Sequence, residues 1–388
     1  MKVSENAFNC TSQLTQTTKI SPHFIEVEKE TLLYSAWLDD RNVRSYIQVL
    51  LMTSRRKQPP SLSCRFQNGK NCISTGAVTP YYEINRRYSN KRYGMFVASC
   101  VLPKDLVSLP SFVDISVNMF TRISNKSIVL PLGNTRKNKT SKIDYGICIA
   151  PLFGHIQVRD LIEFLELSRL LGASYFTFYD FEMSDNVKKV LSYYESKGVA
   201  QVLSWKLPSY ITQKDVHYFG QIFAMQDCLF RSINRLNFVA FNDLDEFIVP
   251  LRHDSMPSLL QSIHKAKYAG HCFRSAYFPR LKSANTTMLP FTQNVLRRSS
   301  EADKSHTKCV DDPERVFEHG VHLIMQPFKG YESSHVSWNE ARVFHYRNCQ
   351  PPCHLPTDAE EDTTMQKYGQ RLKTNVATTI NKSKIHLE

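Results

Sequence analysis

The sequence predicts an α/β domain with a mostly parallel sheet, preceded by a small β-rich domain. Three observations predict it. From Tyr145 to Asp243, apolar strand-like runs alternate with segments of helical period. Between Thr31 and Leu132, short apolar–aromatic runs are separated by Pro, Gly, Ser and Asn, the pattern of an antiparallel β domain. At 388 residues the chain is longer than one compact core commonly uses.

Residues 1–28 are polar and irregular and read as a stalk. The β-rich domain spans 29–140, with apolar runs at 45–51, 94–100 and 112–117. A basic, polar linker closes it at 133–142. The α/β domain spans 141–355. Its first strand is 145–150. A helix follows at 157–171, with Arg159, Glu163 and Glu166 as its polar stripe and Gly172 as its terminator. The second strand, 175–179, stops at Asp180. Asp185 is expected to cap a helix bearing Val187, Val190, Leu191 and Tyr194, the i, i+3, i+4, i+7 pattern, and Gly198 closes it. A third strand covers 199–203. A loop through Trp205 and Pro208 leads to a helix at 219–233. The fourth strand, 238–241, delivers Asp243. A helix follows Pro250 through Leu259, Leu260 and Ile263. The tail, 356–388, is polar, and Met365, Leu372 and Val376 mark the thin apolar face of one peripheral helix.

The formal net charge of +13 is of the sign that attracts nucleic acid, acidic lipid or the phosphates of a nucleotide. The basic clusters are short (Arg55 to Lys57, Arg86 with Arg87, Lys91 with Arg92, and Arg136, Lys137 and Lys139). They lie among polar residues with no nucleic-acid motif, so they read as solvated loops and nucleic acid is not an expected partner. No apolar run approaches the roughly eighteen residues that span a bilayer. Residues 1–5 lack the apolar core of a signal peptide. Ten cysteines permit disulfides without requiring them. Cys148, inside an apolar strand, reads as a buried free thiol. Cys349 and Cys353 lack zinc-knuckle spacing with a second pair. Glycosylation sequons begin at Asn9, Asn125, Asn138, Asn285 and Asn381, which fits a lumenal protein.

The segment of greatest chemical interest is Asp243-Leu-Asp-Glu-Phe247. Two carboxylates one residue apart, at a strand's carboxyl end, form an anionic claw suited to a hard divalent cation, which in turn neutralises a diphosphate. The plain alternative is a pair of turn acids. Ligands of open parallel sheets bind beyond the strands' carboxyl ends, where Asp180 and Asp243 both fall. That placement favours the metal–nucleotide reading.

Motifs in the same half resemble glycosyltransferase family 92. They include residues 147–153, 160–167, 171–176, Phe178-Tyr-Asp180 and Asp215-Val-His-Tyr-Phe-Gly-Gln221. Asp227-Cys-Leu-Phe-Arg231, the segment 239–247, His319-Gly-Val-His322 and Val343-Phe-His-Tyr-Arg347 follow in order. The resemblance covers about residues 145–347. It implies a GT-A type fold and an inverting transferase that uses a UDP-sugar, chiefly UDP-galactose. Animal members add β-galactose to fucose on N-glycan cores, and plant members extend β-1,4-galactan. The animal members are Golgi membrane proteins facing the lumen, held by an N-terminal anchor that this sequence does not show.

With that resemblance, roles can be placed on residues. Asp245, with Asp243, is expected to hold Mn2+ or another divalent cation against the UDP diphosphate, and His345 is the candidate third ligand, ahead of His322. Glu246 is a catalytic candidate that orients the donor sugar. Pro151 and Leu152 are expected to line the nucleoside cleft. Asp180 is expected to accept hydrogen bonds from uracil or ribose, and Lys308 to reach phosphate. Asp215, His217 and Gln221 are expected to contact sugar, with capping and packing as the alternative. Trp205 is a candidate for stacking on a sugar face or, equally, for the core. Inversion needs a carboxylate base near the acceptor hydroxyl. Asp311, Asp312, Glu314 and Glu318 are the candidates, with Asp312 carried as the catalytic choice. Two other classes compete. One is a non-catalytic glycan-binding pseudoenzyme. The other is a haloacid-dehalogenase-type phosphatase, which also places Asp-x-Asp after an apolar strand.

Overall fold

The computed structural model of the chain describes residues 23–56, 59–68, 71–77, 81–86, 90–103, 109–119, 122–133, 142–280, 289–298, 306–348 and 359–383. The chain divides into two compact units: residues 1–140 with 203–234, and residues 141–202 with 235–388.

The first unit carries β1 (Ile25–Glu28), β2 (Thr31–Asp39), β3 (Tyr46–Ser54), β4 (Ser61–Asn68), β5 (Asn71–Ala77), β6 (Tyr82–Glu83), β7 (Tyr93–Val101), β8 (Phe112–Met119) and β9 (Arg122–Gly133). Their order is β5-β4-β8-β9-β2-β3-β7-β6, with β1 on β2. The strand β1 lies in what the sequence suggested was stalk; Ile25 pairs with Leu33. Every residue of β2 is buried. Period-2 alternation fails there because the strand is covered on both faces. The core of Leu33, Val49, Leu51, Phe66 and Ile115 lies on one side. On the other is a helix, Gln221–Ser232, with every residue but Arg231 buried. Its Asp227 is fully buried and accepts from Ser35 Oγ at 2.6 Å and Arg231 Nε at 2.6 Å. The motif Asp227 to Arg231 is thus an internal ion pair that joins helix to sheet. Residues 203–234, expected in the α/β half, belong to the β-rich unit for this reason. The disulfide Cys64–Cys100 ties β4 to β7.

The second unit begins with β10 (Ile143–Leu152), α1 (Val158–Leu170), β11 (Tyr175–Asp180), α2 (Asp185–Ser196) and β12 (Ala200–Ser204). After the excursion through the first unit, whose helix is α3, come β13 (Leu236–Asn242), β14 (Glu246–Pro250), α4 (Met256–Ile263) and β15 (Tyr268–Arg280). The short α5 (Pro290–Gln293) and β16 (Leu296–Arg298) precede β17 (Thr307–Asp311), β18 (Val316–His319), β19 (Ile324–Pro327) and β20 (Glu332–His335). β21 (Ala341–Asn348), β22 (Ala359–Glu361) and α6 (Gly369–Ser383) complete it. The main sheet runs β12-β11-β10-β13-β17-β15-β21-β14. β10 is parallel to β11 and to β13. β17 is antiparallel to both β13 and β15, and β14 is antiparallel to β21. The architecture is therefore α/β, but the sheet is mixed beyond β13 rather than mostly parallel.

Local chemistry explains the boundaries. Gly172 ends α1 with φ at 107°, a conformation cheap only without a Cβ. Ser184, not Asp185, caps α2: its side chain accepts from the Val187 N–H at 3.4 Å. The polar stripe of α1 is largely buried: Glu163 and Glu166 are 0% and 2% exposed. The tail helix α6 packs over α1, burying Leu372 and Val376, with Thr379 Oγ1 3.4 Å from Glu166 Oε1. Glu166 also accepts from Tyr194 Oη at 2.7 Å. Cys272 and Cys309 face each other across β15 and β17 in a disulfide. Cys148 is disulfide-bonded as well, correcting its reading as a free thiol. Among the described residues no helix is long and apolar enough to cross a membrane. The expectations for Cys10, Cys349, Cys353, Asn9, Asn138, Asn285 and the basic linker at 136–139 lie outside the described residues.

Candidate active site

Three adjacent parallel strands, β11, β10 and β13, end together. Leu152 pairs with Asp180, and Ile149 pairs with Asn242, one residue before the claw. The chain then turns within four residues: the Glu246 N–H donates to the Asp243 carbonyl at 3.1 Å, and β14 departs. The turn sets alternate side chains on different partners. Asp243 Oδ2 is 3.0 Å from Lys308 Nζ, and Glu246 Oε2 is 2.9 Å from the same nitrogen. Asp245 Oδ2 instead lies 3.6 Å from His345 Nε2, while His345 Nδ1 is 3.4 Å from Glu246 Oε1. Sheet register fixes that meeting, since Glu246 opposes His345 across β14 and β21. Tyr277, opposite His345 on β15, braces the imidazole at 5.3 Å between ring centres.

Lys308 is the hub. Its side chain is 3% exposed and Glu246 is 5% exposed, whereas Asp243 and Asp245 keep 45% and 39%. A buried ammonium persists only when paired. Burial would lower the Lys308 pKa, but the two carboxylates outweigh it and keep the amine charged. Burial also works against Asp243, and there Lys308 wins, holding the carboxyl below its ordinary value. Glu246 is deeper, and burial, reinforced by Asp243, raises its pKa despite Lys308. His345 is raised: burial opposes this, but the hydrogen bond to Asp245 and the charge of Glu246 prevail.

The three expected metal ligands are therefore not one set. Among the described residues no group of three or more His, Cys, Asp or Glu side chains is gathered for a metal. Asp243 is held by Lys308, and Asp245 and His345 remain as a pair. An exposed carboxylate beside an imidazole is a donor pair that would suit a hard cation, and Asp245 and His345 are the residues that would hold it. Lys308, expected to reach phosphate, is committed to two carboxylates. Glu246 is a charge partner in the wall rather than an open donor contact.

Other predicted residues are placed as follows. Pro151 and Leu152 do end β10, and the Leu152 carbonyl accepts from the Glu182 N–H at 3.0 Å. Asp180 stands beside them, but its side chain accepts from the Met183 N–H at 3.0 Å and lies 3.7 Å from Lys188, the geometry of a turn acid. His322 is half-buried, with its Nδ1 3.1 Å from the Thr307 carbonyl. Burial first, then Lys308, lowers its pKa. The base candidates do not converge on the claw. Asp312, the catalytic choice, lies four residues along β17 from Lys308, about 13 Å at strand rise, and is ion-paired with Arg315 at 2.9 Å. Asp311 is fully buried against His319 at 2.8 Å, and Glu314 is 2.7 Å from Lys142.

Asp215, His217, Gln221 and Trp205 belong to the first unit. Asp215 accepts from Thr212 N and Oγ1 at 2.9 and 2.7 Å, so it closes a turn. Gln221 opens α3 and is buried. Trp205 is fully buried and donates to the Phe219 carbonyl at 2.8 Å, so it packs in the core rather than stacking on sugar.

Sequence reasoning missed the buried pairing of Lys308, whose signal was a lone lysine within an apolar strand. It also missed the backbone of Tyr218 and Phe219, which no local signal betrays.

The chain belongs to glycosyltransferase family 92, whose family model matches residues 143–385. It is 25% identical over 374 residues to Beta-1,4-galactosyltransferase galt-1 of Caenorhabditis elegans, covering 90% of this chain and 80% of that protein. It is also 25% identical to Glycosyltransferase family 92 protein F13G3.3 of the same organism, over 47% of this chain and 38% of that one. Among solved structures, S. aureus TarS 1-349 aligns with a TM-score of 0.30 at 11% identity, over 52% of this chain and 60% of that one. Glucosyl-3-phosphoglycerate synthase from Mycobacterium tuberculosis, crystallised with Mn2+ and UDP, aligns at 0.28 and 11%, over 62% and 79%. Family membership leaves the phosphatase reading without support.

Proposed function

We propose that this chain is an inverting, UDP-galactose-dependent β-galactosyltransferase of GT-A type. It moves galactose to a glycan hydroxyl, with the fucose of N-glycan cores as acceptor, and works in the Golgi lumen with a divalent cation. The observation that carries the reading is the pairing of Asp245 with His345 at 3.6 Å, beyond the carboxyl ends of β10, β11 and β13. Family membership and the galactosyltransferase relative favour the donor. The disulfide Cys272–Cys309 favours an oxidising compartment.

Asp245 and His345 would hold the cation, which when bound offsets charge developing on the departing diphosphate. Lys308 keeps Asp243 ionised and fixes the turn that presents Asp245. Glu246 orients His345 from the opposite strand. The acceptor hydroxyl gives its proton to a general base, its oxygen bonds to the sugar's anomeric carbon as the bond to diphosphate breaks, and the electron pair leaves with UDP.

A donor screen with UDP-galactose and competing UDP-sugars on fucosylated glycans, with and without Mn2+, tests this. Asp245→Asn is expected to cut transfer by at least about a hundredfold with an unchanged thermal melt. Wild-type turnover in that variant would refute the assignment, and glycan binding without turnover on any donor would leave a pseudoenzyme.

A further inference from the structure

Within the second unit, α2 and α6 leave an open cleft of about 600 Å³ between them. Asp185, Lys188, Lys189, Ser192 and Tyr193 line it from α2, and Lys382 lines it from α6. Three ammonium groups thus meet one carboxylate. Lys188 lies 3.7 Å from Asp180 and its side chain stays 44% exposed, a loose pair. Among the described residues neither Lys189 nor Lys382 has a carboxylate within ion-pair distance. Lys188 and Lys189 are the fourth and fifth residues of α2, toward the end where the helix dipole favours acids over bases. The fold therefore gathers cations that repel one another, two of them near the wrong end of a helix, and supplies no matching acids. A local rule broken without a structural gain marks a functional position.

The counter-charge must come from outside the described chain. Lysine ammonium groups are point charges without a forked donor plane, so they suit a phosphate or sulfate better than a planar carboxylate. Tyr193 adds an apolar wall. It is half-buried, set edge-on to Tyr194 at 5.4 Å and 77°, with Lys197 Nζ 5.7 Å from its ring centre. Ser192 adds a hydroxyl. Ammonium groups beside a ring and a hydroxyl match a sugar that carries an oxyanion, rather than a bare ion. A membrane surface fits less well. Helices that lie on lipid keep an apolar face for it, but the apolar faces here are spent on the core, with Val187, Val190 and Leu191 of α2 and Leu372 and Val376 of α6 buried.

We propose that the cleft between α2 and α6 binds a phosphate or sulfate ester carried on a sugar, with Lys189 and Lys382 as its charge partners and Tyr193 as the wall beside the sugar ring. The sugar half of the assignment rests on the glycosyltransferase reading, whereas the oxyanion half rests on charge and shape alone.

Calorimetric titration of the full chain at low salt tests it, with a 6-sulfated disaccharide, its 6-phosphorylated form, their neutral parent and inorganic sulfate as probes. The two charged sugars should bind, and the neutral parent and inorganic sulfate should each bind at least about tenfold more weakly. Lys189→Ala combined with Lys382→Ala should weaken the charged sugars at least about tenfold. Lys265→Ala combined with Lys329→Ala removes the same charge from exposed positions outside the cleft and should leave affinity within about twofold. Equal losses in the two paired variants would reduce the cleft to diffuse surface charge and overturn the proposal. Displacement of the charged sugars by UDP would overturn it too, by giving the cleft to the donor, and so would the absence of binding to wild type. Inorganic sulfate binding as tightly as the sulfated sugar would remove the sugar half. Galactose transfer to a neutral fucosylated acceptor should be unchanged in the Lys189 and Lys382 variant, so failure of the transferase reading shows in the transfer assay and failure of this one in the titration.

Discussion

At the scale of single residues, the site is a charge balance around Lys308. One ammonium faces two carboxylates at 3.0 and 2.9 Å, and the third, Asp245, lies instead 3.6 Å from His345. Removing the ammonium leaves Asp243 and Glu246 facing each other without the cation they share. Lys308→Met is therefore expected to cost about 3–5 kcal/mol, the range for breaking a buried pair. Urea unfolding reads this directly, and an unchanged midpoint would show that the hub carries no load. The acidic segment was legible in the sequence because Asp-x-Asp follows an apolar strand. The division of labour within it was not. Lys308 comes 63 residues after Asp245, and only the antiparallel pairing of β13 with β17 brings it back.

At the scale of elements, the helices and strands of the second unit were legible because their periods are undisturbed. Boundaries slipped by a residue where a serine competed with an aspartate for the cap. The faces were harder to read. The helix α1 shows a polar stripe in sequence, yet Glu163 and Glu166 are buried because α6 and the segment at Phe291 close over them. Glu163 Oε1 accepts from the Phe291 N–H at 3.1 Å. Burial raises its pKa from 4.5 to about 8, with the Phe291 hydrogen bond opposing. The folded state thus binds this proton more tightly than the unfolded chain. Its stabilising contribution is complete below the ordinary carboxyl value and is lost as pH rises through the folded value. Glu163→Gln removes that dependence. The wild-type melting temperature should fall relative to the variant between about pH 5 and about pH 8. Parallel profiles across that interval would refute the buried protonated acid.

At the scale of the molecule, sequence order and spatial unit part company. The chain leaves the α/β unit after β12, contributes a turn and α3 to the β-rich unit, and returns at β13. Strand–helix alternation alone assigns α3 to the parallel sheet, since its 12 residues have the expected length and period. What decides otherwise is Asp227 meeting Ser35, a contact between residues 192 positions apart that no local pattern encodes. The family motifs are accordingly spread over both units. Those at 147–180, 239–247 and 343–347 build the claw and its flanking strand ends. Those at 215–231 build a left-handed turn at Tyr218 and Phe219 and the buried ion pair of the first unit. The disulfides Cys64–Cys100 and Cys272–Cys309 each lie within a single unit.

The most direct test of the metal–nucleotide account is calorimetric titration of UDP into the purified protein, with Mn2+ and again with chelator. Binding is predicted with Mn2+ alone and is predicted to vanish in Asp245→Asn. UDP binding of equal strength with chelator, or in that variant, would contradict the account.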